Sequence, residues 1–306
     1  MKLKKLAVIL GIMLFVLVGI YYILDPETKE LNKKERKKLG GAYIELSDGF
    51  THYKLEGAEN GQLVVLVHGG TIPKWAWDNQ IEALTAIGCR VLTYDKYGRG
   101  YSDRPDVIYN QDLYKKQLFE LVNKLGIEQK FDLVGLSVGG GTAVNFTANY
   151  PDKVRKLILI APLINNFKLP AIFQIPVIGE FAARTVGVKT IVKRFNSLIE
   201  GTANAETYKK LYVEQTTYKG FQQSLLSMLR NDAVRDYTGA YRILGKQKRE
   251  ILLIWGTDDT EITKEMINDI RDLLPNVQFK PVKGAGHGLV SQKYEIVNSL
   301  ITGFLR

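Results

Sequence analysis

The chain has 306 residues, one cysteine, three histidines and a formal charge of +10, with 45% hydrophobic and 24% charged residues. That is the composition of a globular chain with one large domain or two small ones, not of a disordered or collagen-like one. The lone Cys89 excludes an internal disulfide framework and a cysteine-based zinc or iron–sulfur site, and three histidines (His52, His68, His287) argue against a histidine-rich metal centre.

The first element is apolar. Residues 6–24 form a run of 19 without a charge, preceded by Lys2, Lys4 and Lys5. As a helix rising about 1.5 Å per residue it is close to the thickness of a bilayer's hydrocarbon core. Tyr21 and Tyr22 fall near one end, where aromatic rings favour the membrane interface. No small-x-small cleavage site is obvious, and the run has no cysteine to lipidate. The expectation is a single-pass N-terminal membrane anchor, with a cleaved signal or a buried helix as alternatives. Three lysines before the run against six Lys/Arg in 25–40 favour a cytoplasmic main domain, but a short basic start before an apolar run also reads as an export signal-anchor, and the side of the membrane is left undetermined. Residues 1–40 are read as anchor and basic linker, and 41–306 as the main domain.

Charge also bears on partners. Residues 1–40 carry nine Lys/Arg and four Asp/Glu, and the other 266 residues carry 33 and 28, so the main domain is only mildly basic. The one dense basic run, 33–38, follows the apolar segment and lacks interleaved aromatics, which argues against nucleic acid. It reads as a grip on anionic headgroups or as a solvated helix.

From residue 41 onward strands alternate with helices. Two short strands are expected at 43–46 and 50–55, turning at Ser47-Asp48-Gly49. Apolar runs of buried parallel-strand type follow at 63–67, 90–94, 131–134, 156–160, 251–255 and 277–282, with helices between them at 111–125 and 141–149. This alternation predicts an α/β fold with a mostly parallel sheet. Residues 163–248 break the rhythm with Pro170, Pro176 and apolar helical patches, and read as a cap inserted over the sheet.

The chemistry begins at Gly135-Leu136-Ser137-Val138-Gly139, a G-x-S-x-G between an apolar strand and a helix. Glycines on both sides let the backbone turn sharply enough to present a serine hydroxyl to a carbonyl carbon. A phosphate-binding helix start is the alternative, but the Gly-Lys-Ser/Thr of a Walker loop is absent and the dinucleotide fingerprint fits poorly. Ser137 needs a base, and His287 in Gly284-Ala285-Gly286-His287-Gly288 follows the last apolar strand. Loops after parallel strands gather at the sheet's carboxyl edge, where Ser137 also belongs. An acid to orient the imidazole is available at Asp258 or Asp259, just past another strand. The N–H of Val138, next to the nucleophile, is one expected oxyanion donor. The loop His68-Gly69-Gly70-Thr71 supplies the other, with Gly70 N–H preferred. His68 and His52 are read as structural.

Five stretches together are similar to the α/β-hydrolase superfamily, in its cap-containing, serine-nucleophile, esterase- or lipase-like branch. They are Val67-His68-Gly69-Gly70, the loop from Tyr94 through Asp95, Gly98, Gly100 and Ser102 to Pro105, Gly135–Gly140, Trp255–Asp259 and Gly284–His287. The resemblance spans about residues 43–306 and implies the order Ser137, Asp259, His287, with Asp259 rather than Asp258 as the acid. Leu136 and Tyr97 stand where histidine and arginine are frequent, and bear on substrate rather than on competence.

The expected activity is hydrolysis of a carboxylic ester through an acyl-enzyme, with no metal or organic cofactor. Cap residues Phe167, Leu169, Phe173, Phe181, Phe221 and Leu225 either line an acyl pocket or form the cap's own core. With the anchor, a membrane-proximal lipid ester such as a monoacylglycerol is the expected substrate. Thioesterase, aminopeptidase and C–C hydrolase chemistry remain alternatives, as does a poorly catalytic ligand sensor. His68-Gly69-Gly70 runs into Thr71-Ile72 rather than the Pro-Gly usual in proline-releasing peptidases, which weakens the aminopeptidase alternative.

Overall fold

A computed structural model describes residues 2–165 and 169–306, the side chains at positions 2, 3, 6, 7, 10, 14 and 17 excepted. Eight strands form one sheet: β1 (Ala42–Leu46), β2 (Gly49–Gly57), β3 (Leu63–Val67), β4 (Arg90–Tyr94), β5 (Phe131–Leu136), β6 (Val154–Ile160), β7 (Ile251–Gly256) and β8 (Gln278–Val282). Their order is β1-β2-β4-β3-β5-β6-β7-β8. The first two strands run antiparallel and the rest parallel. Every residue of β3, β5 and β7 is buried, as expected of apolar runs covered on both faces.

The helices are α1 (Lys2–Ile23), α2 (Lys33–Leu39), α3 (Asp78–Ala86), α4 (Gln111–Lys124) and α5 (Val138–Asn149). In the insertion between β6 and β7 come α6 (Ile178–Ala182), α7 (Val188–Leu198), α8 (Ala205–Gln215), α9 (Phe221–Arg230) and α10 (Thr238–Gly245). Then follow α11 (Lys264–Leu273), α12 (Leu289–Gln292) and α13 (Tyr294–Leu305). Helix α5 packs on β5 with α4 and α10 beside it, and α13 packs against α3.

The sheet order reverses at β3 and β5. Strand β4 lies on one side of β3, and β5 with its successors lies on the other. Val67 pairs with Gly135, so the chain leaves both strands side by side at the carboxyl edge. Likewise Gly256 pairs with Val282, so the loops after β7 and β8 emerge together. A reversal of this kind opens a crevice at the strand ends, where α/β sheets bind ligands.

The N-terminal segment is continuous with the body. Helix α1 leaves Val8, Ile9, Ile12, Met13, Phe15 and Val16 exposed. No helix of the described residues is long and apolar enough to cross a membrane. The run that carries the anchor expectation includes positions 6, 7, 10, 14 and 17, whose side chains lie outside the described residues. At its end Tyr21 stacks on Phe181 of the cap, and the Arg184 guanidinium lies 3.8 Å from the Tyr21 ring and pairs with Asp25 at 2.8 Å. The Glu27 carboxylate accepts the N–H groups of Gly220 (2.8 Å) and Gln222 (2.6 Å), and Lys29 bridges to Tyr218. In α2, Arg36 pairs with Asp103. Residues 25–40 are therefore a docked strap across the cap and the loop after β4, not a loose linker.

The central strands carry the stability. Leu133 on β5 is fully buried. Leu133→Ala is expected to cost about 2–5 kcal/mol, measured as a lowered midpoint in urea unfolding.

Candidate active site

Ser137 sits at the junction of β5 and α5 with φ +54°, one of three non-glycine residues at positive φ among those described. Such a conformation costs of order 1–3 kcal/mol and persists only where the surroundings enforce it. Here the enforcement comes from two glycines. A Cβ on Gly135 would collide with the Gly139 carbonyl, and one on Gly139 would collide with the carbonyls of Val67 and His68. The turn can be this tight, and lie this close to β3, only because both positions lack a side chain.

His287, from the loop after β8, reaches Ser137: Nε2 lies 3.2 Å from Oγ. Its Nδ1 donates to Asp259 Oδ2 at 2.8 Å. That bond fixes the proton on Nδ1 and leaves Nε2 to accept from the serine. Asp259 has a buried carboxylate whose Oδ1 accepts the N–H groups of Glu261 (2.8 Å) and Ile262 (3.0 Å). Asp258 is exposed and its carboxylate accepts the Thr257 hydroxyl, so of the two acids Asp259 alone meets His287. Strands β5, β7 and β8 thus bring together three residues spread over 150 positions.

The loop after β3 covers the serine. Gly69 and Gly70 line the same small cavity as Ser137, and the side of Gly70 faces Val138. The N–H of Val138 opens α5 and has no partner within the helix. The carbonyl of Gly70 accepts Arg99 Nε at 2.6 Å, and the same guanidinium donates to Ser224 of α9 at 2.9 Å. Arg99 thereby ties this loop to the cap.

Both other histidines are buried supports. His68 Nδ1 donates to Gly69 O, and Nε2 accepts the Lys96 N–H, each at 2.8 Å. Burial, with Lys96 nearby, pushes its pKa down to about 3. His52 Nδ1 donates to Asp95 at 2.8 Å, and Asp95 also accepts the N–H groups of Lys74 (2.8 Å) and Tyr101 (3.0 Å). Burial alone would raise Asp95, but the hydrogen bond and charge of His52 outweigh it and hold the carboxyl well below its usual range. Asp95 and His52 hold the loop after β4; the chain's order alone gave no sign that they pair.

The cavity at Ser137 has a volume of about 40 Å³ and is walled by Gly69–Ile72, Trp75, Leu136, His287 and residues of α7. At about 10–15 Å³ per water it holds only a few. The cap wall is Arg194, Phe195, Leu198 and Ile199. Of the two readings of the apolar cap residues, packing rather than pocket lining is the one met. Phe221 and Leu225 lie in the main hydrophobic core, Phe181 packs on Tyr21, and Leu169 and Phe173 are absent from the wall. Phe167 lies outside the described residues. Arg194, and Glu261 to which it is paired, are the polar groups the sequence did not single out. Among the described residues no cluster of His, Cys, Asp or Glu is arranged to hold a metal ion.

The His68 result carries a pH dependence. Unfolded, this imidazole takes a proton near pH 6.5; folded, it resists down to about 3. Its contribution is complete above pH 6.5 and is lost as pH falls toward 3, by up to about 1.4 kcal/mol per pH unit. Urea unfolding between pH 7.5 and 4 should show this decline, and His68→Asn should flatten it from a lower starting stability.

Comparison with known proteins agrees with this geometry. A family profile described as the alpha/beta hydrolase fold matches residues 62–294. The AB hydrolase superfamily protein YfhM of Bacillus subtilis (strain 168) is 26% identical over 281 residues, covering 85% of this chain and 96% of that protein. The 2-hydroxymuconate semialdehyde hydrolase of Pseudomonas putida is 26% identical over 220 residues, covering 71% and 76%. Among solved structures, the enol-lactonase of Burkholderia xenovorans LB400 superimposes with a TM-score of 0.73 at 20% identity, over 86% of this chain and 99% of that one. The profile spans most of the sheet, the cap and all three residues that meet at Ser137, and the chain is accordingly a member of the α/β-hydrolase fold family and a hydrolase.

Proposed function

We propose that the chain is a serine hydrolase that cleaves a carboxylic ester through an acyl-enzyme. The observation that carries this is the unbroken relay Asp259–His287–Ser137, at 2.8 and 3.2 Å, on a serine held at positive φ. His287 Nε2 takes the Ser137 proton as Oγ attacks the ester carbonyl. Asp259 keeps the ring oriented and stabilises its cation. The N–H groups of Val138 and Gly70 receive the oxyanion, each such donor being worth about 3–4 kcal/mol of barrier. His287 then gives its proton to the departing alcohol, and water repeats the sequence on the acyl-enzyme. No step calls on a metal or organic cofactor. The name of one relative, a 2-hydroxymuconate semialdehyde hydrolase, favours a second reading, hydrolysis of a carbon–carbon bond.

The ester is taken to be a lipid, such as a monoacylglycerol, reached at a membrane to which α1 anchors the chain. Three features support this. The described part of α1 is exposed and apolar, with Phe15 at 79%. Its end is fastened to the cap through Tyr21, Asp25 and Arg184. Residues 169–179 of the cap contain no charge and expose Ile172, Ile175, Val177 and Ile178, a patch of the kind that marks a membrane or partner surface.

A fluorophosphonate probe and p-nitrophenyl esters of graded chain length test the chemistry. Labelling and turnover are expected, both lost in Ser137→Ala. A chain that labels but turns over only 2-hydroxymuconate semialdehyde is a C–C hydrolase instead. One that labels and turns over none of these favours a sensor or a narrower substrate.

Flotation of the full chain with phospholipid vesicles tests the anchor. Phe15→Asp with Val16→Asp is expected to abolish binding, since an acidic residue at a helix centre costs about 2.5–3.5 kcal/mol in a bilayer. Equal flotation of both chains would refute insertion of α1.

A further inference from the structure

Two residues outside the triad converge on the working nitrogen of His287. Glu261 lies two positions past Asp259, and its Oε2 stands 3.5 Å from His287 Nε2, against 3.2 Å from that nitrogen to Ser137 Oγ. One nitrogen therefore faces two oxygens. Neutral, it offers a lone pair, which only the serine O–H can use. Protonated, it offers an N–H, and a carboxylate is the stronger acceptor of the two. Asp259 keeps Glu261 within reach by accepting its backbone N–H at 2.8 Å.

The group that occupies Glu261 belongs to the cap. Arg194 of α7 donates Nε–H to Oε1 at 2.8 Å and Nη2–H to Oε2, gripping both carboxylate oxygens. Among the described residues, the charged groups around the ring are Asp259 and Glu261 from the acid loop and Arg194 from the cap. The other cavity walls, including Trp75 and Ala76 before α3 and Val290 and Ser291 on α12, contribute none. Arg194 lines the cavity itself, and α7 with Ile199 forms its cap wall.

We infer that Glu261 is a positioning residue for His287 under the control of Arg194, so that the general base is released only when α7 is closed over the site. This deepens the serine-hydrolase reading and rests on it. With α7 down, Arg194 bonds both oxygens of Glu261 and competes with Nε2 for Oε2, which leaves the nitrogen nearer Ser137 (3.2 Å) than Glu261 (3.5 Å). The cavity under α7 is small, about 40 Å³, and in this scheme α7 lifts to admit the ester. With α7 lifted, Glu261 loses its partner and accepts the N–H of a protonated ring. A ring so held takes no proton from Ser137, and the serine is not an activated nucleophile while the site stands open to water. Closure of the cap over a substrate returns Arg194 to Glu261 and frees the base.

The experiment is the rate of fluorophosphonate labelling of the full chain between pH 6 and 9, for wild type, Arg194→Gln, Glu261→Gln and the double variant, with circular dichroism to check folding. Arg194→Gln is expected to label about tenfold more slowly near pH 6.5, with the deficit shrinking as pH rises. Adding Glu261→Gln to it is expected to recover most of the loss. Should Arg194→Gln not fold, Arg194→Lys, which keeps the charge without the two-point grip, takes its place with the same sign of rescue. A double variant no faster than Arg194→Gln, or a deficit that does not change with pH, makes the pair a mere cap clamp and overturns the inference. Absence of labelling in the folded wild type is a different result: it removes the serine-hydrolase reading itself, and the inference with it.

Discussion

At Gly139 the first turn of α5 lies against the end of β3 with no room for a side chain, and the carbonyls of Val67 and His68 fill the space a Cβ would need. From that approach follow the placement of Ser137 at the mouth of the crevice and the nearness of the His68–Thr71 loop to the serine. It also sets Val138 beside Gly70. A backbone contact of this kind is set by sheet register, because β3 and β5 are paired residue by residue up to Val67 and Gly135. The geometry of the reacting groups is thus inherited from the stiffest part of the molecule.

A second tier of polar groups holds the loops that the sheet alone leaves free. His68 is locked between Gly69 and the Lys96 amide, Asp95 gathers three donors, and Arg99 connects Gly70 to the cap. These groups are buried, and each buried donor or acceptor left unpaired would cost about 1–3 kcal/mol. Their satisfaction makes the loops after β3 and β4 a single rigid rim. The rim and the cap consequently share anchors, and motion of one is constrained by the other.

The strands were readable because they are short buried apolar runs bounded by turn residues. The expected 63–67, 90–94 and 251–255 coincide with β3, β4 and β7 to within a residue. Ser137, His287 and the two candidate acids stood out because a strand-turn-helix junction and loops after strands leave a mark in the sequence. The cap left none. Its helices pack by side-chain shape, with no period relating Phe221 to the core rather than to the cavity, and so the sequence left both readings of these residues open. Arg194 and Glu261 were invisible for a related reason. A charged residue on an amphipathic helix, or two positions past an acid, reads as solvated until a partner from another element meets it.

The strap of residues 25–40 has a mechanical side. The chain does not pass directly from α1 to β1. It first crosses the cap, held there by Asp25 on Arg184, Glu27 on the amides of Gly220 and Gln222, and Lys29 beside Tyr218. Tension applied through the N-terminus is borne by these cap contacts before it reaches the sheet, so a pull on α1 loads the lid and spares the strands that hold Ser137.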